Sequence, residues 1–234
     1  MFSHELVAHY QVIPSTLKET LVGNSYRLPA FDDQSLVRFD GFRVAILTTH
    51  GSELPEFDVP LRYLRERGAI VEVVTLDWLF DSQEGEASGM VVLAQFLAVN
   101  VCVKADKRIS DTNIENYDAL IILGGAWNPI MLRSDDMVLR LIGEAHKHRI
   151  LIASICHGPQ VLISSKAFPA GTRTTGVNDI RVDLTNAGFV VEDGSVVFDE
   201  SQLLITSPSP EAEHLKAFCE EIGKYAHRFV LEKK

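Results

Sequence analysis

From Phe42 onward, apolar β-branched runs alternate with segments of mixed polarity. Phe42–Thr49 is apolar without polar alternation, the pattern of a strand buried on both faces of a parallel sheet. The polar turn residues His50-Gly51-Ser52-Glu53 follow. Glu56–Arg67 then places Phe57, Leu61 and Leu64 on one helical face, with Gly68 expected as its C-cap. Ala69–Thr75 reads as a second strand. A strand–helix–strand unit demands a right-handed crossover and gathers the loops that follow strands at one sheet edge.

The same rhythm returns later in the chain. Ala119–Leu123 is a strand running into Gly124-Gly125, and Ser134–His148 is a helix with Asp135 and Asp136 in its favourable first turn. Ile150–Ile155 is another fully buried strand, His157–Ser165 and Asn178–Asn186 are helical, and Ala187-Gly188 closes the second of these. Val190–Phe198 and Gln202–Thr206 read as strands, and Glu211–Val230 as a final amphipathic helix. Between residues 77 and 110 the pattern is ambiguous: Asp81–Gly89 reads as loop, and Val91–Val103 suits a strand, a helix, or one of each. Residues 1–40 are broken by Pro14, Gly23, Pro29 and Asp32-Asp33. They are expected to form an arm with a short helix near Pro14–Val22, packed on the body or a neighbouring subunit, or else a partly mobile extension. The organisation is therefore an arm over residues 1–40 and one doubly wound, mostly parallel α/β domain over residues 41–234, helices on both faces.

Charge and composition narrow the function classes. Lys+Arg 22 against Asp+Glu 32 gives a net charge of −10, and no basic cluster stands out, so nucleic acid is not an expected partner. Met90–Val103 is too short and too interrupted to span a bilayer, and the N-terminus has neither the basic nor the apolar region of a secretory signal. The three cysteines, Cys102, Cys156 and Cys219, are too few and scattered for a disulfide scaffold or zinc site. A cytoplasmic protein with reduced thiols, no membrane contact, no metal and no cofactor is expected.

Three features carry chemistry. Ala153-Ser154-Ile155-Cys156-His157-Gly158-Pro159 delivers a cysteine from a buried strand into a tight turn that opens a helix, the arrangement of a nucleophile elbow. There the unpaired helix N–H groups are expected to favour thiolate over thiol; the bland alternative is a buried core cysteine. Leu123-Gly124-Gly125 at a strand end offers backbone N–H groups to a cavity, suiting an oxyanion hole, or is an ordinary tight turn. Glu53 or Glu56, after the first strand, can reach the same crevice; a carboxyl beside a thiolate there should stay protonated and serve as a general acid–base. His50 is a candidate second imidazole, Trp127 and Asn128 candidate pocket residues with Trp127 leaning towards core packing, and Arg133 a carboxylate ligand or helix cap. His146 and His148, two apart, point to different sides of a helix and do not form a metal pair. Cys102 and Cys219 read as apolar fillers.

Taken together, Ser154-Ile155-Cys156-His157-Gly158-Pro159-Gln160, Leu123-Gly124-Gly125, Glu56 four residues before Pro60 and twelve before Gly68, and Thr185-Asn186-Ala187-Gly188 resemble the ThiJ/PfpI superfamily from Phe42 to about Phe229. The resemblance implies a flavodoxin-like fold, Cys156 as nucleophile, an anion hole of the Gly125 and His157 amides, and Glu56 as a protonated glutamate bonded to the cysteine. It implies a glyoxalase- or deglycase-like activity on small carbonyl compounds or their adducts, a peptidase or amidase activity, an isonitrile-hydratase-like activity, or a non-enzymatic redox-sensing role for Cys156. It also implies a homodimer or larger homo-oligomer. Two departures stand out. PfpI-like members carry an acid after the proline of the glycine-pair loop, which a neighbouring subunit lends to orient the histidine; here Ile130 follows Pro129, so His157 is expected to lack its orienting carboxylate. The branch that includes the Parkinsonism-associated deglycase carries a histidine where Thr174-Thr175-Gly176-Val177 has Gly176.

Overall fold

A computed structural model describes residues 11–13, 29–31, 37–95 and 98–233. In chain order the strands are β1 (Gln11–Ile13), β2 (Arg43–Leu47), β3 (Ile70–Thr75), β4 (Met90–Gln95), β5 (Ala98–Lys104), β6 (Lys107–Arg108), β7 (Ala119–Ile122), β8 (Leu151–Ile155), β9 (Arg173–Thr174), β10 (Val190–Val191), β11 (Val197–Asp199) and β12 (Leu204–Ser207). The helices are α1 (Leu54–Glu66), α2 (Trp78–Asp81), α3 (Asn128–Leu132), α4 (Asp136–Lys147), α5 (Pro159–Ser165), α6 (Arg181–Asn186) and α7 (Ala212–Glu232). The main sheet has seven strands in the order β11-β12-β8-β7-β2-β3-β6, parallel except for the β11–β12 pair. This is the flavodoxin-like α/β arrangement.

Successive residues of one strand supply opposite cores. Val44 and Ile46 join the cluster of Phe57, Leu61, Leu64 and Phe218, whereas Ala45 and Leu47 join that of Val138, Leu141 and Ile142. Helices cover both faces, so neither face of β2 meets water, and the strand is apolar throughout. Each fully buried large side chain contributes roughly 1.5–3 kcal/mol. From β2 the chain winds outward to β3, and from β7 it winds the other way to β8 and β12. The crevice at this reversal opens beyond the carboxyl ends of β2, β7 and β8, where ligands bind in such folds.

Several elements differ from the sequence expectation. Val91–Val103 is two strands: β4 and β5 form an antiparallel pair, joined in parallel by β1, in a sheet separate from the main one. β4 is also stitched to the loop after β2, through Gly51 N–H to Val92 O (2.8 Å) and Ala94 N–H to Ser52 O (2.8 Å). The Asp81–Gly89 segment holds the end of α2 and a short 3-10 turn at Gly85–Ala87. Val190–Phe198 is not one strand, because β10 pairs with β9, and the chain turns at Gly194 before β11. Asn178–Asn186 is a 3-10 turn at Asn178–Ile180 followed by α6. Asp135 is the N-cap of α4, accepting from the Met137 and Val138 N–H groups. The helix expected near Pro14–Val22 lies outside the described residues.

Candidate active site

Strand β8 is buried along its whole length and ends at Cys156, whose φ of +59° is a left-handed conformation that non-glycine residues seldom adopt. Both backbone polar groups of Cys156 are tied down there. Its N–H donates to Ser207 O (2.9 Å), and its carbonyl accepts from Val177 N–H (3.2 Å). The strained turn is thus held by β12 on one side and the segment after β9 on the other. Helix α5 is only seven residues long and starts at Pro159, so little helix dipole reaches the sulfur. The amides of Gly125 and His157 do reach it, each hydrogen-bonding the sulfur.

The glycine pair makes this approach possible. A Cβ on Gly124 would stand 2.7 Å from Cys156 Cβ and 2.8 Å from His157 N, both on the elbow itself. Gly125 has φ +86°, and a Cβ there would stand 2.7 Å from Ser52 Cα in the loop after β2. Any side chain at either position would push apart the loops that compose the site. The Gly124 N–H is not part of an anion hole: it donates to Glu56 Oε2 (2.7 Å). Its expected oxyanion role is corrected to one of fixing the glutamate.

Glu56 lies in the first turn of α1 and is fully buried. Its Oε1 has no nitrogen or oxygen partner, and its carboxyl shares a side-chain hydrogen bond with Cys156. Burial pushes the carboxyl up to about 8, partly opposed by the Gly124 and Cys156 hydrogen bonds and reinforced by the Glu53 charge. Glu56 is therefore a proton-bearing acid at neutral pH. Cys156 moves in the opposite sense to the sequence expectation. The residue is 5% exposed, and burial raises its thiol. An ionised Glu56 would raise it further, while the Gly125 and His157 amides pull it back only in part. Desolvation outweighs the amide dipoles, so the resting site holds thiol and carboxyl rather than thiolate.

His157 was expected to have no carboxylate, and this is corrected by Asp179. The His157 ring places Nδ1 3.3 Å from Cys156 Sγ and Nε2 2.9 Å from Asp179 Oδ2. Asp179 stands in the 3-10 turn before α6, brought back to the elbow by the Val177–Cys156 backbone bond. The usable signal in sequence was an acid at the start of the helical run after Thr174-Thr175-Gly176, the stretch that already aligned with a functional segment of the resembled family. Gly176 has no room for a histidine: a Cβ there would meet Ile180 Cδ1 at 2.9 Å.

The remaining candidates serve the frame. His50 Nδ1 accepts Val92 N–H (3.0 Å), and the ring meets Trp78 edge-on, with centroids 5.5 Å apart. Burial holds His50 down to about 4, so it is a neutral strut for β4 and not a replacement base. Glu53 is the N-cap residue of α1 and bridges to Ala94 by its backbone. Trp127, leaning towards the core in the sequence reading, is 46% exposed and packs on Gly51. Asn128, a candidate pocket residue, is instead wholly buried and joins two loops, accepting Thr49 N–H (2.7 Å) and donating to Leu123 O (2.6 Å). Arg133 bonds Ser164 (2.9 Å) and so links α3 to α5. His146 bonds Gln202, and Cys102 and Cys219 are buried. Among the described residues, no helix is long and apolar enough to cross a membrane.

Fold and site together define an α/β protein with a cysteine at a nucleophile elbow, faced by a buried acid. The chain belongs to the DJ-1/PfpI family, whose model matches residues 42–224. It is 33% identical over 171 residues to general stress protein 18 of Bacillus subtilis, covering 73% of this chain and 91% of that one. It is 32% identical over 183 residues to protein/nucleic acid deglycase 2 of Escherichia coli, covering 76% and 94%. A solved two-domain protein from Anabaena variabilis, with DJ-1/ThiJ/PfpI-like and ferritin-like domains, superposes with a TM-score of 0.65 at 29% identity. That match covers 78% of this chain and 48% of the other, so this chain spans about half of the two-domain protein.

Proposed function

We propose that this protein is a cysteine-dependent hydrolase or lyase that adds the Cys156 sulfur to the carbonyl carbon of a small aldehyde or of a 2-oxoaldehyde adduct. The observation that carries this reading is the buried Cys156–Glu56 pair beneath the Gly125 and His157 amides. At rest both groups hold their protons. As the S–C bond forms, the thiol proton passes to His157 Nδ1, 3.3 Å away, and the carbonyl π pair moves to oxygen. An oxygen on a carbon bound to Sγ lies beside the amides that already meet the sulfur, and one such donor is typically worth about 2.7–4 kcal/mol of barrier. Glu56, protonated and adjacent, supplies the proton that neutralises this oxygen. Keeping the nucleophile as a thiol until substrate arrives places the proton transfer inside the site, where Asp179 balances the imidazolium. The deglycase name of the Escherichia coli relative supports the adduct class.

A second reading, hydrolysis of amide bonds, is favoured by the Cys156–His157–Asp179 line, which supplies a base with its orienting acid. A peroxide-sensing role is disfavoured because Cys156 is buried and its thiol raised. Turnover of methylglyoxal and of a glycated amine by the wild type and by Cys156→Ala tests the main reading. Loss of turnover in the variant is expected, and unchanged turnover overturns it.

A further inference from the structure

In the resembled family an acid from a neighbouring copy orients the histidine after the nucleophile, yet the corresponding position here is Ile130, apolar and 57% exposed. The carboxylate that meets His157 Nε2 comes from the same chain. The geometry points to Asp179 as the positioning residue of His157, supplied in cis, so that the site is complete within one copy of the chain. This rests on Cys156 being the nucleophile.

Asp179 is held from both sides. Val177 N–H is bonded to the Cys156 carbonyl, Ile180 N–H to Val177 O (3.1 Å), and the Ile180 side chain is 2% exposed in the core. One residue on, Arg181 is anchored to Glu192 O (3.1 Å) and Asp193 Oδ1 (2.7 Å). The turn therefore aims the Asp179 carboxylate at Nε2 even though its side chain is 68% exposed. An ion pair that open to water adds little stability. What it does is chemical. A carboxylate has no proton to give, so Nε2 must carry the ring N–H, and the Nδ1 lone pair is left facing the thiol. An asparagine, able to donate or accept, releases that choice.

The test uses the whole chain and needs no substrate. Cys156 alkylation by iodoacetamide should slow roughly tenfold to a hundredfold in Asp179→Asn, within the range of general base catalysis, and recover largely in Asp179→Glu. Imidazole ¹⁵N shifts should show His157 as the Nε2–H tautomer in the wild type and as a mixture in Asp179→Asn. The wild-type alkylation rate should stay constant on dilution through dissociation of any assembly, followed by sedimentation. An unchanged rate and tautomer in Asp179→Asn, or a rate that falls as copies separate, overturns the inference. A chain that alkylates in this pattern but turns over no carbonyl compound refutes the proposed function and leaves the Asp179 inference standing.

Discussion

Replacing Glu56 by glutamine removes one buried titration while keeping shape and both hydrogen bonds: the amide oxygen accepts Gly124 N–H and the amide nitrogen faces the sulfur. In the unfolded chain this carboxyl titrates at 4.5, and in the fold burial lifts it to about 8. Between those values the folded chain holds a proton that the unfolded chain has lost. Raising the pH through this window therefore favours unfolding. At about 1.4 kcal/mol per pH unit, the gap corresponds to a ceiling of roughly 5 kcal/mol. Urea unfolding of wild type and Glu56→Gln at intervals from pH 4.5 to 8.5 isolates the effect, because every other titrating group is common to both. The two should be close in stability near pH 4.5. The variant should gain steadily on the wild type up to about pH 8, and the difference should then level. Parallel stability curves across the window would refute a proton-bearing Glu56, and with it the thiol–acid pair at rest.

Two further outcomes follow from the frame around the site. Asn128→Ala leaves Thr49 N–H and Leu123 O unpaired in a buried position, which should lower unfolding free energy by roughly 2–4 kcal/mol in urea titrations. His50 is held neutral down to about 4 against 6.5 in the unfolded chain, so its contribution is full above pH 6.5 and lost as pH falls to 4. His50→Gln should remove up to about 3 kcal/mol of this acid lability, read as a wild-type-minus-variant difference in urea between pH 4 and 7.

Much of the framework was legible because it is local. A run such as Leu151–Ile155, apolar at every position, has no alternative but a strand covered on both faces, and a Cys-His-Gly-Pro stretch directly after it can only turn into a helix. Glycines at 124 and 125 announce that another backbone comes close. Such statements depend on side-chain size, polarity and order, which the chain carries before it folds. The β4–β5 pair escaped because an apolar run fits strand or helix equally well by period, and only its docking on the loop after β2 selects between them.

What sequence could not determine was whatever depends on how deeply a group is buried and what else arrives beside it. Asp179 is 23 residues from Cys156, and nothing in its neighbours marks it until the turn at Val177 folds back onto the elbow. Asn128 and Trp127 stand side by side, yet one is sealed inside as a loop strut and the other lies half in water. The protonation of Cys156 was misjudged for the same reason. Amide dipoles can be inferred from a turn, but the desolvation that outweighs them is a property of the packed interior. Order along the chain decides which elements form, whereas distance through space decides which atoms share a proton.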